Sequence, residues 1–162
     1  MRKLLGFLTA LICTGACTGA ALAGPNAGGT LILALSEGTI YSPDINYCNS
    51  VTTSDCEGAV VGTDGSEGAS TLVINCLAAF PEQGRLAGIT FGVNFNDASV
   101  VLVASGSCGD FEIADPTWPS PGSGTAVTWA LAQQTQLVPV YWFGAYNYYY
   151  YNAYSLDVTP HP

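Results

Sequence analysis

Three acids fall within six residues in Asp110-Phe-Glu112-Ile-Ala-Asp115. On a β-strand Asp110 and Glu112 share a face, because side chains alternate. Two neighbouring carboxylates are what retaining glycoside hydrolysis needs, one as acid and one as nucleophile. The plainer reading is a polar strand edge beside a Pro-rich loop. Nucleophilic chemistry has fewer parts. His161 is the single histidine and lies between Pro160 and Pro162, so no rigid element carries a Ser/His or Cys/His pair. Asp64-Gly-Ser-Glu67 and Asn94 to Asp97 place oxygen ligands in turns. Neither has the alternating ligands of an EF-hand loop, and ordinary turn chemistry accounts for both. These patterns point to no catalytic residue, no metal and no cofactor.

The tract Tyr146-Asn-Tyr148-Tyr149-Tyr150-Tyr151-Asn-Ala-Tyr154 is the sharpest anomaly. Four consecutive tyrosines must point to both faces of any strand, so some face solvent or a partner. A tyrosine offers a flat apolar ring with a hydroxyl, which suits sugar stacking and protein interfaces alike. With Trp118 these rings make a candidate surface for an extracellular glycan or a protein partner. The plainer reading has half of them completing the core while the rest cover a sheet edge.

The start of the chain is an export signal. Arg2 and Lys3 precede an apolar run from Leu4 to Ile12, and Ala21-Leu22-Ala23 is a small-x-small cleavage site. The run is too short and too broken for a membrane anchor. Thr14 stands where a lipoprotein signal ending at Cys17 wants a large aliphatic residue. Cleavage after Ala23 leaves 139 residues carrying twelve acids and one strong base, Arg85, a formal charge of −11. Such a surface repels nucleic acid and anionic lipid.

Four cysteines remain after cleavage: Cys48, Cys56, Cys76 and Cys108. An even number in an exported chain predicts two disulfides, with three pairings open. Closure of the short loop from Cys48 to Cys56 is the simplest, leaving Cys76 with Cys108. Zinc binding lacks C-x-x-C spacing and a nearby histidine.

The elements that position these residues read as β throughout. Residues 24–29 are a flexible lead, and 30–162 form the folded domain. In Leu86 to Phe95, Ile89, Phe91, Val93 and Phe95 share one face while Thr90, Gly92 and Asn94 share the other. The turn Asn96-Asp97-Ala98-Ser99 then predicts a hairpin with Val100 to Ala104. Further strands are expected at Thr30 to Leu35, which is apolar on both faces, Ala59 to Val61, Thr71 to Phe80, Phe111 to Ile113 and Thr125 to Trp129. Two more fall at Leu137 to Tyr146, where Pro139 marks an edge or bulge, and at residues 155–159. Ala130 to Gln136 is the best candidate for a helical turn. Seven to nine strands with regular turns predict a β-sandwich. Pro160-His161-Pro162 offers no closing strand, which reads as the N-terminal part of a longer protein.

Gly88-Ile-Thr-Phe-Gly-Val-Asn-Phe-Asn-Asp97, followed by Val100-Val-Leu-Val103 and Gly106, resembles the paired strands of cohesin-like modules and related carbohydrate-binding sandwiches. The run from Ser105 through Trp118-Pro, Gly122 to Trp129 and Tyr141-Trp-Phe143 is similar to a group of uncharacterised secreted bacterial proteins. The resemblance spans residues 71–159. It implies a jelly-roll-like or immunoglobulin-like sandwich used for extracellular recognition or assembly, without catalysis. Laminarinase-like glycosidases carry Glu-x-Asp-x-x-Glu, the reverse of the order at Asp110. The reading is therefore a secreted, non-enzymatic structural or interaction module: a cell-surface, matrix or fibre subunit that self-assembles by donating Thr30 to Leu35 to a neighbour. A carbohydrate-binding module is the alternative, and a glycoside hydrolase the third.

Overall fold

The computed structural model describes residues 24–61, 70–149 and 155–162. The signal segment 1–23, the turn at 63–68 and the tyrosines at 150, 151 and 154 lie outside them. Eight strands form: β1 (Thr30–Leu35), β2 (Leu72–Ala79), β3 (Leu86–Phe95), β4 (Val100–Ser107), β5 (Phe111–Ala114), β6 (Ser123–Gln133), β7 (Leu137–Asn147) and β8 (Leu156–Thr159). They make two four-stranded sheets, β1-β2-β7-β4 and β5-β6-β3-β8, with every pairing antiparallel. The described residues contain no helix.

The core lies between the sheets. Phe91, Val93 and Val127 enter from one side, and Cys76, Val138, Val140, Tyr141 and Phe143 from the other. The alternation of β3 is as expected, with Phe91 and Val93 almost fully enclosed while Thr90 and Asn94 face out. Phe143 has no exposed surface, and truncating it to Ala would cost about 3–5 kcal/mol.

Three local expectations change. β3 and β4 are not a hairpin, because β3 pairs with β6 and β8 while β4 pairs with β7. Asn96 accepts the amides of Ser99 and Val100, winding residues 96–99 into an arch that carries the chain from one sheet to the other. Alternation dictates which face a strand buries, not which neighbour it pairs with. β6 runs on through Gln133, so Ala130 to Gln136 forms no helical turn. Ala59 to Val61 is not a strand, although Val60 accepts the amide of Leu35. Of the two readings of Pro139, the bulge holds: Cys76 faces Tyr141 while Leu77 faces Pro139, leaving Val140 as the extra residue of a central strand. The bulge turns both Val140 and Tyr141 into the core.

The disulfide is also a correction. Cys48 bonds Cys108 across 60 positions, while Cys56 is exposed and unbonded and Cys76 is buried and unbonded. The bond ties the segment after β1 to the residue after β4. That segment, residues 36–61, packs on the outside of the β1-β2-β7-β4 sheet as a second apolar layer. Tyr47 meets Trp142 edge-on at 5.0 Å and stacks on Tyr41 at 5.9 Å, with Val73 beneath. Gly106 and Gly144 make room for this layer, since a Cβ there would press on the Trp142 indole and the Tyr41 ring at 2.6 and 2.9 Å. Asn75 donates to Ser36 and Ser50 beneath the same segment.

Candidate functional site

The two sheets differ on their outsides. One is roofed by residues 36–61. On the other, Gly88, Thr90 and Asn94 of β3, Thr128 of β6 and Phe111 and Ile113 of β5 stand exposed. The C-terminal segment crosses one part of this face. A Cβ on Gly92 would meet Thr159 and Pro160, and one on Gly124 would meet the His161 ring at 2.6 Å. These two glycines are cross-strand partners and form the seat of that segment. The His161 Nε2 lies 4.0 Å from Asp115 Oδ1.

Edge strand β5 has its polarity reversed. Phe111 and Ile113 are 60% and 63% exposed, whereas Glu112 between them turns inward and accepts a hydrogen bond from the buried Thr125 hydroxyl at 2.8 Å. Glu112 also interacts with Tyr141, whose hydroxyl accepts from the Trp118 indole N–H at 2.7 Å. Burial pushes the Tyr141 hydroxyl above its ordinary range; hydrogen bonds from Trp118 and Ser105 oppose this and Glu112 adds to it. Asp110 and Asp115 bracket the strand. Asp110 accepts the Ala130 amide at 2.8 Å and Asp115 the Gly124 amide at 2.7 Å. Each carboxylate of the acid triplet thus supports the sheet: Asp110 and Asp115 pin its ends, and Glu112 joins a polar cluster in the core.

The backbone of β5 is paired on one side only, with β6. Phe111 and Ile113 turn their carbonyls toward β6, where the hydroxyls of Thr128 and Thr125 donate to them. In an antiparallel ladder successive residues point their N–H and C=O to opposite sides. Glu112 and Ala114 therefore present theirs at the open edge. The strand carries two apolar side chains on its face and a ladder-forming edge beside it.

The predicted aromatic site is placed at one end of the sandwich. Trp118 is half-buried, edge-on to Phe91 at 5.4 Å and Tyr141 at 5.3 Å, and 6.1 Å from Phe143. Tyr146 belongs to β7 opposite Val101 and is half-buried. Tyr148 is 61% exposed and meets Tyr149 edge-on at 5.0 Å. The amide of Tyr148 donates to Ser99, which joins the tract to the arch. On the other side of the arch an open groove of about 270 Å³ runs between Phe95, Asp97, Val100 and Leu102 and the loop residues Pro119 and Pro121. The structure thus brings the Trp118 loop and the start of the tyrosine tract to the two sides of one arch, but it uses the Trp118 ring in the core.

Sequence reasoning did not single out Phe111 and Ile113. The available signal was the apolar-acid-apolar order Phe-Glu-Ile, which fits either orientation until its neighbours are known. Among the described residues no group of three or more His, Cys, Asp or Glu side chains is placed to hold a metal ion, and no helix is long and apolar enough to cross a membrane. No known protein family, curated protein or solved structure matches the chain.

Proposed function

We propose that the chain is an extracellular, non-enzymatic interaction module of the cohesin-like or immunoglobulin-like sandwich kind, which docks a protein partner through the outer face of β5-β6-β3-β8. The observation that carries this reading is β5, where Phe111 and Ile113 are left in solvent while Glu112 is turned inside. The two side chains stand together on one face of an edge strand, and contiguous exposed apolar patches mark contact surfaces. The export signal read in residues 1–23 and the Cys48–Cys108 disulfide support an oxidising, extracellular setting. Thr30–Leu35 is less suited to donation than its sequence suggests, because it pairs along its length with β2 of the same chain.

Photo-crosslinking tests this. A benzophenone amino acid replaces Phe111, or Ile40 as a control that is 88% exposed on the roofed side. In the extracellular fraction of the native culture, position 111 should form a discrete protein adduct, which Ile113→Ser abolishes, and position 40 should not. Equal adducts at both positions, or none at 111, would overturn the reading.

Glycan binding is the second reading, favoured by the exposed Tyr148 and the groove on the far side of its arch. A glycan array with hits that vanish on Tyr148→Ser and Tyr149→Ser would establish it, and an array with no hit would reject it.

A further inference from the structure

We infer that β5 is completed by an extended segment of a different protein, which adds as a fifth strand and carries Lys or Arg on either side of alternating apolar residues. This rests on the docking face proposed above and names what occupies it. Three features on the strand select that occupant. First, Glu112 and Ala114 hold their N–H and C=O at the open edge, so main-chain pairing is offered. Second, Phe111 and Ile113 stand on one face of that edge and would pack against apolar side chains of an added strand in the same alternation. Third, Asp110 and Asp115, each with one carboxylate oxygen on a β6 amide, place negative charge at the two ends. Five residues of extended chain span roughly 17 Å, so complementary bases fall five positions apart in the partner.

Charge decides against a second copy. An antiparallel β5 from another molecule would bring its Asp115 close to Asp110 and its Asp110 close to Asp115, crowding like charges at both ends. The whole chain adds to this, with twelve acids against three Lys and Arg. β5 is thus closed to its own kind and complementary to a cationic strand.

The test pans a random dodecapeptide phage library on the immobilised full chain. Enriched peptides should alternate apolar residues between Lys or Arg about five positions apart, and their affinity should fall with added salt. Ala114→Pro removes one edge N–H without touching the β5–β6 ladder and should weaken the best peptide about tenfold. Asp110→Asn with Asp115→Asn, which keeps a side-chain oxygen to accept the Ala130 and Gly124 amides, should weaken it and flatten the salt dependence. If Ala114→Pro fails to fold, N-methylation of alternate amides in the peptide removes the same bonds and should abolish binding. No enrichment, or enriched peptides indifferent to both Ala114→Pro and N-methylation, would overturn strand addition. The crosslink at position 111 reads out separately: retained while strand addition fails, it leaves the docking face standing and removes only this mode of use.

Discussion

The Cys48–Cys108 bond gives a quantitative prediction. Replacing both cysteines with Ala opens a loop of 60 positions. In the chain-entropy account a closed loop of that size removes about 14 cal/mol/K from the unfolded ensemble, or about 4 kcal/mol at 25 °C. For a domain of this length each kcal/mol moves Tm by about 4 °C, so the double variant should melt about 15 °C lower. The bond also holds Tyr47 over Trp142, so the variant's tryptophan emission should shift to the red before global unfolding. Cys56→Ala should change stability by less than about 0.5 kcal/mol, since Cys56 is exposed and unbonded. The alternative pairing of Cys48 with Cys56 would stabilise by only about 2.5 kcal/mol for its short loop, and then Cys56→Ala would be the damaging change. Differential scanning calorimetry of the three proteins separates these outcomes, and a non-reducing peptide map names the linked pair. A Cys48–Cys56 or Cys76–Cys108 peptide, or an unmoved Tm in the double variant, would refute the topology.

Tyr141→Phe should cost about 1–3 kcal/mol in guanidinium unfolding, because the Trp118 indole N–H loses its acceptor. Burial pushes the Cys76 thiol up to about 12 from its ordinary 9.0. The folded state therefore holds a proton that the unfolded chain releases. Stability from this group is full below pH 9 and falls by about 1.4 kcal/mol per unit as pH rises toward 12. Cys76→Ala should flatten that part of the pH profile while lowering stability at neutral pH by opening a small cavity. Gly106→Ala places a methyl 2.6 Å from the Trp142 indole and should cost about 1–3 kcal/mol by overpacking. Gly124→Ala meets only the movable His161 ring and should cost less by the same unfolding assay.

β3 was fully legible in sequence, because seven residues of strict alternation leave only one face to bury. The strand count and the two-layer class followed from the same periodicity and from turn residues such as Pro81 and Gly84. The pairing of β3 and β4 was not legible. Phe91 and Val100 need the same core from either sheet, and the 96–99 turn fits an arch as well as a hairpin. The disulfide was hidden for a related reason, since only the assembled sheets bring Cys48 beside Cys108. Residues 36–61 read as loop from their Ser, Pro and Asn content, yet Tyr41 and Tyr47 are spaced to cover Trp142 once β7 is in place. Nor could Phe111-Glu-Ile show which way it faces, since that depends on Thr125 and Tyr141 supplying Glu112 with buried partners. The acid triplet was visible as a pattern, but its structural use lay in the amides of Ala130 and Gly124.

Amide hydrogen exchange along β5 tests the docking edge most directly. In the free chain the amides of Glu112 and Ala114 should exchange rapidly, while the ladder amides of Phe111 and Ile113 exchange slowly. Saturation with the best Lys- or Arg-flanked peptide should protect Glu112 and Ala114 by more than tenfold, leaving the outer edge of β1 unchanged. Protection confined to β1 or to the arch at 96–99, with Glu112 and Ala114 still exchanging freely, would contradict a partner strand on β5.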